Sequence, residues 1–78
     1  MVKEGKAELR ALGDAIRKER KALPGNLSQE DFAESCDLHR TYIGQLERGE
    51  KNVSFTNVLR VSKAFRLKPS ALLARAGL

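Results

Sequence analysis

The chain has one cysteine and one histidine. A lone Cys36 excludes an intramolecular disulfide, and one thiol with one imidazole, His39, cannot assemble a structural zinc site. No metal or cofactor is expected. The opening MVKEGKAELRA lacks an apolar signal core, and no apolar run approaches membrane-spanning length. The default expectation is a cytoplasmic protein with no membrane partner. There is no internal repeat and no low-complexity segment. With 78 residues, the chain makes one domain with a small helical core. That leaves no room for a ligand-sensing domain, so no small-molecule ligand is expected. An enzyme is not expected either, because no nucleophile, metal set or second base accompanies His39.

What is present is positive charge and helical periodicity. Hydrophobic residues make up 41%, enough for a folded chain rather than a disordered one. The net charge of +5 suits a polyanion partner. The stretch Ser28–Gly49, SQEDFAESCDLHRTYIGQLERG, reads as a short helix, a tight turn and a second short helix. Ser28 can cap the first of these, and Asp31, three residues on, can reach back to complete a capping box. Phe32, Ala33 and Cys36 fall on one apolar face at helical spacing, which makes Cys36 a small buried hydrophobe. Asp37 sits where the chain must turn, and Asp tolerates the left-handed backbone such a turn needs. Leu38, Ile43 and Leu46 form the inward stripe of the second helix. Its other face carries Arg40, Thr41, Gly44, Gln45 and Arg48. Two short helices at a steep angle approach closely, and Ala33 is the expected contact point.

This stretch resembles the helix-turn-helix of the Cro/cI repressor class, the xenobiotic-response-element family. The matching residues are Leu27-Ser28-Gln29, Phe32-Ala33, Leu38, Ile43 and Leu46-Glu47-Arg48-Gly49. The resemblance covers roughly Ile16 to Leu73. The segment His39–Glu47, HRTYIGQLE, resembles the small controller proteins of restriction–modification systems. The resemblance implies a sequence-specific DNA-binding regulator. It also implies an ion pair, because the family pairs the acid at Glu47 with an arginine of the first helix, and Arg20 is the matching position.

The rest of the chain fits an all-α fold. It would be a compact five-helix, lambda-repressor-like domain over residues 1–78, with the helix-turn-helix at helices two and three. Met1–Lys6 is polar and expected to be frayed. Ala7 to about Ala22 is predicted as the first helix, with Leu9, Leu12, Ala15 and Ile16 as its stripe and Ala22 or Leu23 closing it. Pro24-Gly25-Asn26 breaks the chain. The resulting loop is about two residues longer than the family's. Gly49 ends helix three as the left-handed residue after its cap. Ser54 caps helix four, whose inward stripe is predicted as Phe55, Val58, Leu59, Ser62 and Phe65, with Val61 just off it and less buried. Pro69 suits the first position of a short fifth helix. There Leu72 faces the core, while Leu73, Ala76 and Leu78 leave an apolar strip without an internal partner.

Helix three is the candidate for the major groove of double-stranded DNA. Arg40 can donate two bonds to guanine, Thr41 can bond a base or meet a thymine methyl, and Gln45 can pair with adenine. Gly44 between them would let the backbone approach the groove floor. Gln29 opens helix two, where free N–H groups and the helix dipole favour a phosphate, and it matches the family's phosphate-binding glutamine. Tyr42 can place its hydroxyl on phosphate or base while its ring packs on the helix pair. Arg48, Lys51 and Asn52 would clamp the opposite strand. His39 stands where the family has a small capping residue, so either Asp37 caps helix three or His39 points to phosphate. The strip Leu73, Ala76 and Leu78 is the expected interface of a homodimer on a palindromic operator. An antitoxin-type protein-interaction module that also binds DNA is the alternative, although no acidic or aromatic tail of the toxin-wrapping kind is present.

Overall fold

A computed structural model describes residues 5–78. Five helices run in order: α1 (Lys6–Ala22), α2 (Gln29–Cys36), α3 (Arg40–Glu47), α4 (Phe55–Ala64) and α5 (Pro69–Arg75). Of the residues expected to fray, Met1 to Glu4 lie outside the described residues. Lys6, by contrast, already belongs to α1: Gly5 adopts a left-handed conformation with φ 82° and its carbonyl accepts from Leu9 N. Among the described residues no helix is long and apolar enough to cross a membrane.

The core is the sum of single stripes, one from each helix. Leu12 and Ile16 of α1 meet Phe32, Ala33 and Cys36 of α2, Ile43 and Leu46 of α3, Val61 of α4 and Leu72 of α5, with Phe65 just beyond α4. Burying a Leu, Ile or Phe side chain stabilises by roughly 1.5–3 kcal/mol. Phe32 and Phe65 stack with ring centroids 4.7 Å apart. Leu9, Leu23 and Leu38 are half-buried, and Leu38 lies in the turn before α3 rather than on it.

The local signals act as their chemistry requires. Ser28 Oγ accepts from Asp31 N at 3.0 Å, the forward half of the capping box. The reverse bond from Asp31 is not among the hydrogen bonds of the described residues. Asp37 closes α2 at φ 59°, ψ 42°. After α3, Gly49 at φ 71° donates its N–H to Leu46, and Glu50 donates to Gln45, a complete Schellman stop. A Cβ on Gly49 would come 2.7 Å from the Arg10 Cα, so α1 crosses directly over this stop.

The predicted stripe of α4 is corrected by one step around the helix. Phe55 is 72% exposed and Leu59 40%, whereas Val61 is fully buried. The buried set is therefore Val61, Ser62 and Phe65, with Val58 half-buried. Ser62 accepts burial because its hydroxyl donates to the Val58 carbonyl at 2.7 Å. The Phe32 stack then fixes which side of α4 faces in. A second correction concerns α5: Leu73 and Ala76 are half-buried and pack on the core, so of the predicted free strip only Leu78 stands clear, at 51% exposure.

Candidate nucleic-acid interface

The two ends of α3 hold opposite kinds of surroundings. At its C-terminal end Glu47 is buried and meets Arg20 of α1. Arg20 Nε donates to Glu47 Oε2 at 2.7 Å and its second nitrogen donates to Oε1 at 2.9 Å, a bidentate pair. A third arginine nitrogen, Nη1, donates to the Leu27 carbonyl at 2.9 Å, which fixes the loop before α2. The Glu47 hydrogen bond holds the Arg20 guanidinium even more firmly protonated than usual, although burial opposes it. This is the geometry that makes a buried ion pair tolerable, with each charge met by directed hydrogen bonds.

Sequence reasoning missed the residue that lets α1 and α3 come so close. Gly13 is buried, and a Cβ built there would overlap the Leu46 carbonyl oxygen and lie 2.8 Å from that of Glu47. Only a hydrogen fits between the two helices. The signal was present: a glycine inside an otherwise helical stripe, LRALGDAI, has a packing reason more often than not.

Gln29, expected at a phosphate, has its amide turned inward. Its Nε2 donates to Glu47 Oε1 at 3.0 Å, so it extends the buried pair toward the surface. Gly44 is covered. It is buried, and a Cβ there would meet Arg48 Nη1 at 3.2 Å and Gln29 Oε1 at 3.4 Å. The glycine thus lets two side chains lie across α3, and a backbone approach to a groove floor would require them to move aside. Tyr42 is likewise engaged inside the chain: its hydroxyl donates to the Asn52 carbonyl at 3.4 Å and accepts from Asn57 Nδ2 at 3.0 Å. Its half-buried ring packs on the core and its donor holds the α3–α4 loop, so the phosphate role would require that bond to break.

At the N-terminal end Arg40 and Thr41 are exposed, and Gln45, one turn on, is half-buried. The nearest charge to Arg40 is Glu30, 4.0 Å away, with both side chains about 70% solvent-accessible (70% and 73%). Such a contact is worth little. His39 is the N-cap but makes no side-chain capping bond, and Asp37 is spent on closing α2, so neither caps α3. His39 is exposed beside Arg40. Arg48, Lys51 and Asn52 follow α3 and are exposed. Glu50 bonds Arg48 at 3.0 Å and holds its guanidinium more firmly protonated. Among the described residues no group of acids, thiols and imidazoles could hold a metal.

A helix held at its far end and free at its near end, projecting from a five-helix core, defines a helix-turn-helix domain. The helix-turn-helix family model matches residues 16–72, and the chain belongs to that family. It is 54% identical over 48 residues to the control protein C.BamHI of Bacillus amyloliquefaciens. That match takes in 62% of this chain and 59% of the relative, so the chain matches about three-fifths of that relative's length. Among solved structures, the restriction-modification controller protein C.AhdI from Aeromonas hydrophila superposes with a TM-score of 0.78 at 39% identity, covering 85% of this chain and 97% of that one. The P22 c2 repressor, solved in complex with a synthetic operator, superposes with a TM-score of 0.71 at 31% identity, covering 78% and 89%.

Proposed function

We propose that this protein is a sequence-specific DNA-binding transcriptional regulator of the restriction–modification controller type. It binds a palindromic operator as a homodimer and seats α3 in the major groove. The observation that carries the reading is the exposure of Arg40 and Thr41, with Gln45 one turn on, at one end of a helix whose other end is fixed by the Arg20–Glu47 pair. Base-reading side chains are useful only on a helix that cannot tilt, and this one is held. The likeness to controller proteins and to a repressor solved on its operator supports the same reading.

In this reading Arg40, Thr41 and Gln45 address base edges, while His39, Arg48, Lys51, Asn52 and the start of α2 at Gln29 address phosphates. Exposed apolar surface on α4 (Phe55 and Leu59) and at Leu78 supports self-association, with the partly buried Leu73 and Ala76 beside it. A two-fold dimer would set two recognition helices about 34 Å apart on one DNA face.

The test begins with selection of bound sequences from a random DNA pool, followed by salt titration on the selected duplex. Affinity should fall roughly 10³-fold or more between about 50 and 200 mM salt. A near-flat titration would reject nucleic acid as the main partner. Sedimentation at tens of micromolar protein, with and without the duplex, reads the dimer. A wild-type chain that stays monomeric in both would remove the homodimer from the reading.

A further inference from the structure

An open groove of about 620 Å³ lies between the start of α1 and the α3–α4 loop, lined by Lys6, Leu9, Arg10, Arg48, Glu50 and Asn52, with Gly49 at its base. Its charged residues are Lys6, Arg10 and Arg48 against one acid, Glu50, which is already engaged by Arg48 at 3.0 Å. Among the described residues neither Lys6 nor Arg10 has an acidic partner within ion-pairing distance. Arg10 is held there by the backbone, because Gly49 packs on its Cα.

The groove is continuous with the α3 surface. The same Arg48 that lines it lies with its Nη1 over Gly44, where the Gln29 side-chain oxygen Oε1 also lies. One strip therefore runs from Gln29 at the start of α2, over Gly44 and Arg48, into the groove with Lys6 and Arg10. We propose that this groove is a further phosphate-binding surface, in which Lys6 and Arg10 of α1 hold the DNA backbone where it passes the C-terminal end of α3. The proposal rests on the DNA-binding reading above and adds two phosphate ligands from a helix outside the helix-turn-helix. Open and cationic, the groove suits a solvated phosphodiester; with Leu9 as its only apolar side chain, it does not suit an apolar ligand.

Phosphate contacts leave a signature distinct from base contacts, since each one adds about 1 to the slope of log affinity against log salt and none to sequence preference. The experiment compares the full chain with the double variant Lys6→Gln/Arg10→Gln on the selected duplex and on a scrambled one. The control is Lys63→Gln/Lys68→Gln, which removes the same charge from two exposed positions outside the groove lining, Lys63 in the last turn of α4 and Lys68 at the cap of α5. Circular dichroism melting checks that each variant is folded. The expected result is a slope smaller by about 2 per protomer for Lys6→Gln/Arg10→Gln on both duplexes, with an unchanged selected consensus and a smaller loss in the control. Three results overturn the proposal: an unchanged slope, an equal loss in the control, or an altered consensus. If the wild-type chain binds neither duplex, the DNA-binding reading fails first and takes the groove with it.

Discussion

The C-terminal and N-terminal ends of α3 are seven residues apart in sequence and contrast in almost every physical respect. At Glu47 the helix is dry, crossed by α1 at hydrogen-only distance, and locked by a bidentate arginine. At Arg40 it is wet, uncapped by any side chain, and meets Glu30 across a long exposed ion contact. The packing and ion pairing of the helix sit at one end and its chemical freedom at the other. This is how a short helix can be both a structural member and a reading head. An isolated helix of this length is unstable in water, so its order must come from packing at the end that does not read.

The largest break of that contrast is Glu47→Ala. It leaves the Arg20 charge buried and unpaired and orphans the Gln29 amide. The cost should be about 3–5 kcal/mol in chemical denaturation. A loss below about 1 kcal/mol would mean the pair is effectively exposed. Gly13→Ala comes next. A methyl gains up to about 1 kcal/mol of helix propensity, but here it meets two backbone carbonyls that no side-chain rotation can move. A net loss of about 1–3 kcal/mol is expected, and equal or higher stability would show that α1 and α3 can separate cheaply.

A smaller, pH-dependent effect probes the turn beneath the reading end. Burial pushes the Cys36 thiol up to about 11 from an ordinary 9.0. A group that holds its proton more tightly when folded contributes stability below its unfolded value and loses it as pH rises toward the folded one. The stability of the wild type should therefore fall more steeply between about pH 9 and 11 than that of Cys36→Ala. Parallel curves would place the thiol in contact with water.

The same contrast explains what could be read from the sequence. The Arg20–Glu47 geometry follows a family pattern carried by residue types, and the Ser28 and Gly49 stops follow local backbone rules. Asp37 likewise needed only its own left-handed tolerance. What escaped were facts of tertiary approach. Val61 and Phe55 exchange places because both lie on acceptable helical stripes, and only the Phe65 stack on Phe32 chooses between them. Gly44 read as a surface group and the Tyr42 hydroxyl as a free one because their neighbours, Arg48, Gln29, Asn52 and Asn57, come from other turns or other helices. The strip on α5 read as uncovered because the packing of Leu73 and Ala76 depends on how α5 lies against the rest of the core.

The smallest expected effect on folding is at Arg40, and there the comparison is sharpest. Arg40 is exposed and its contact with Glu30 is long and solvent-screened, so Arg40→Ala should change stability by no more than about 0.5 kcal/mol. Its effect on binding should be of another kind. If the guanidinium makes two bonds to a guanine edge, its loss costs about 1–3 kcal/mol against the preferred base and relaxes one position in each half-site of the selected consensus. Lys51→Ala, equally exposed, should weaken all duplexes alike and leave the consensus intact, because a phosphate contact carries no sequence information. The pair of variants thus separates reading from holding in two measurements, a melt and a sequence selection. An unchanged consensus with Arg40→Ala would move the base-reading role off the N-terminal end of α3. The division of labour along the helix would then have to be redrawn around Thr41 and Gln45.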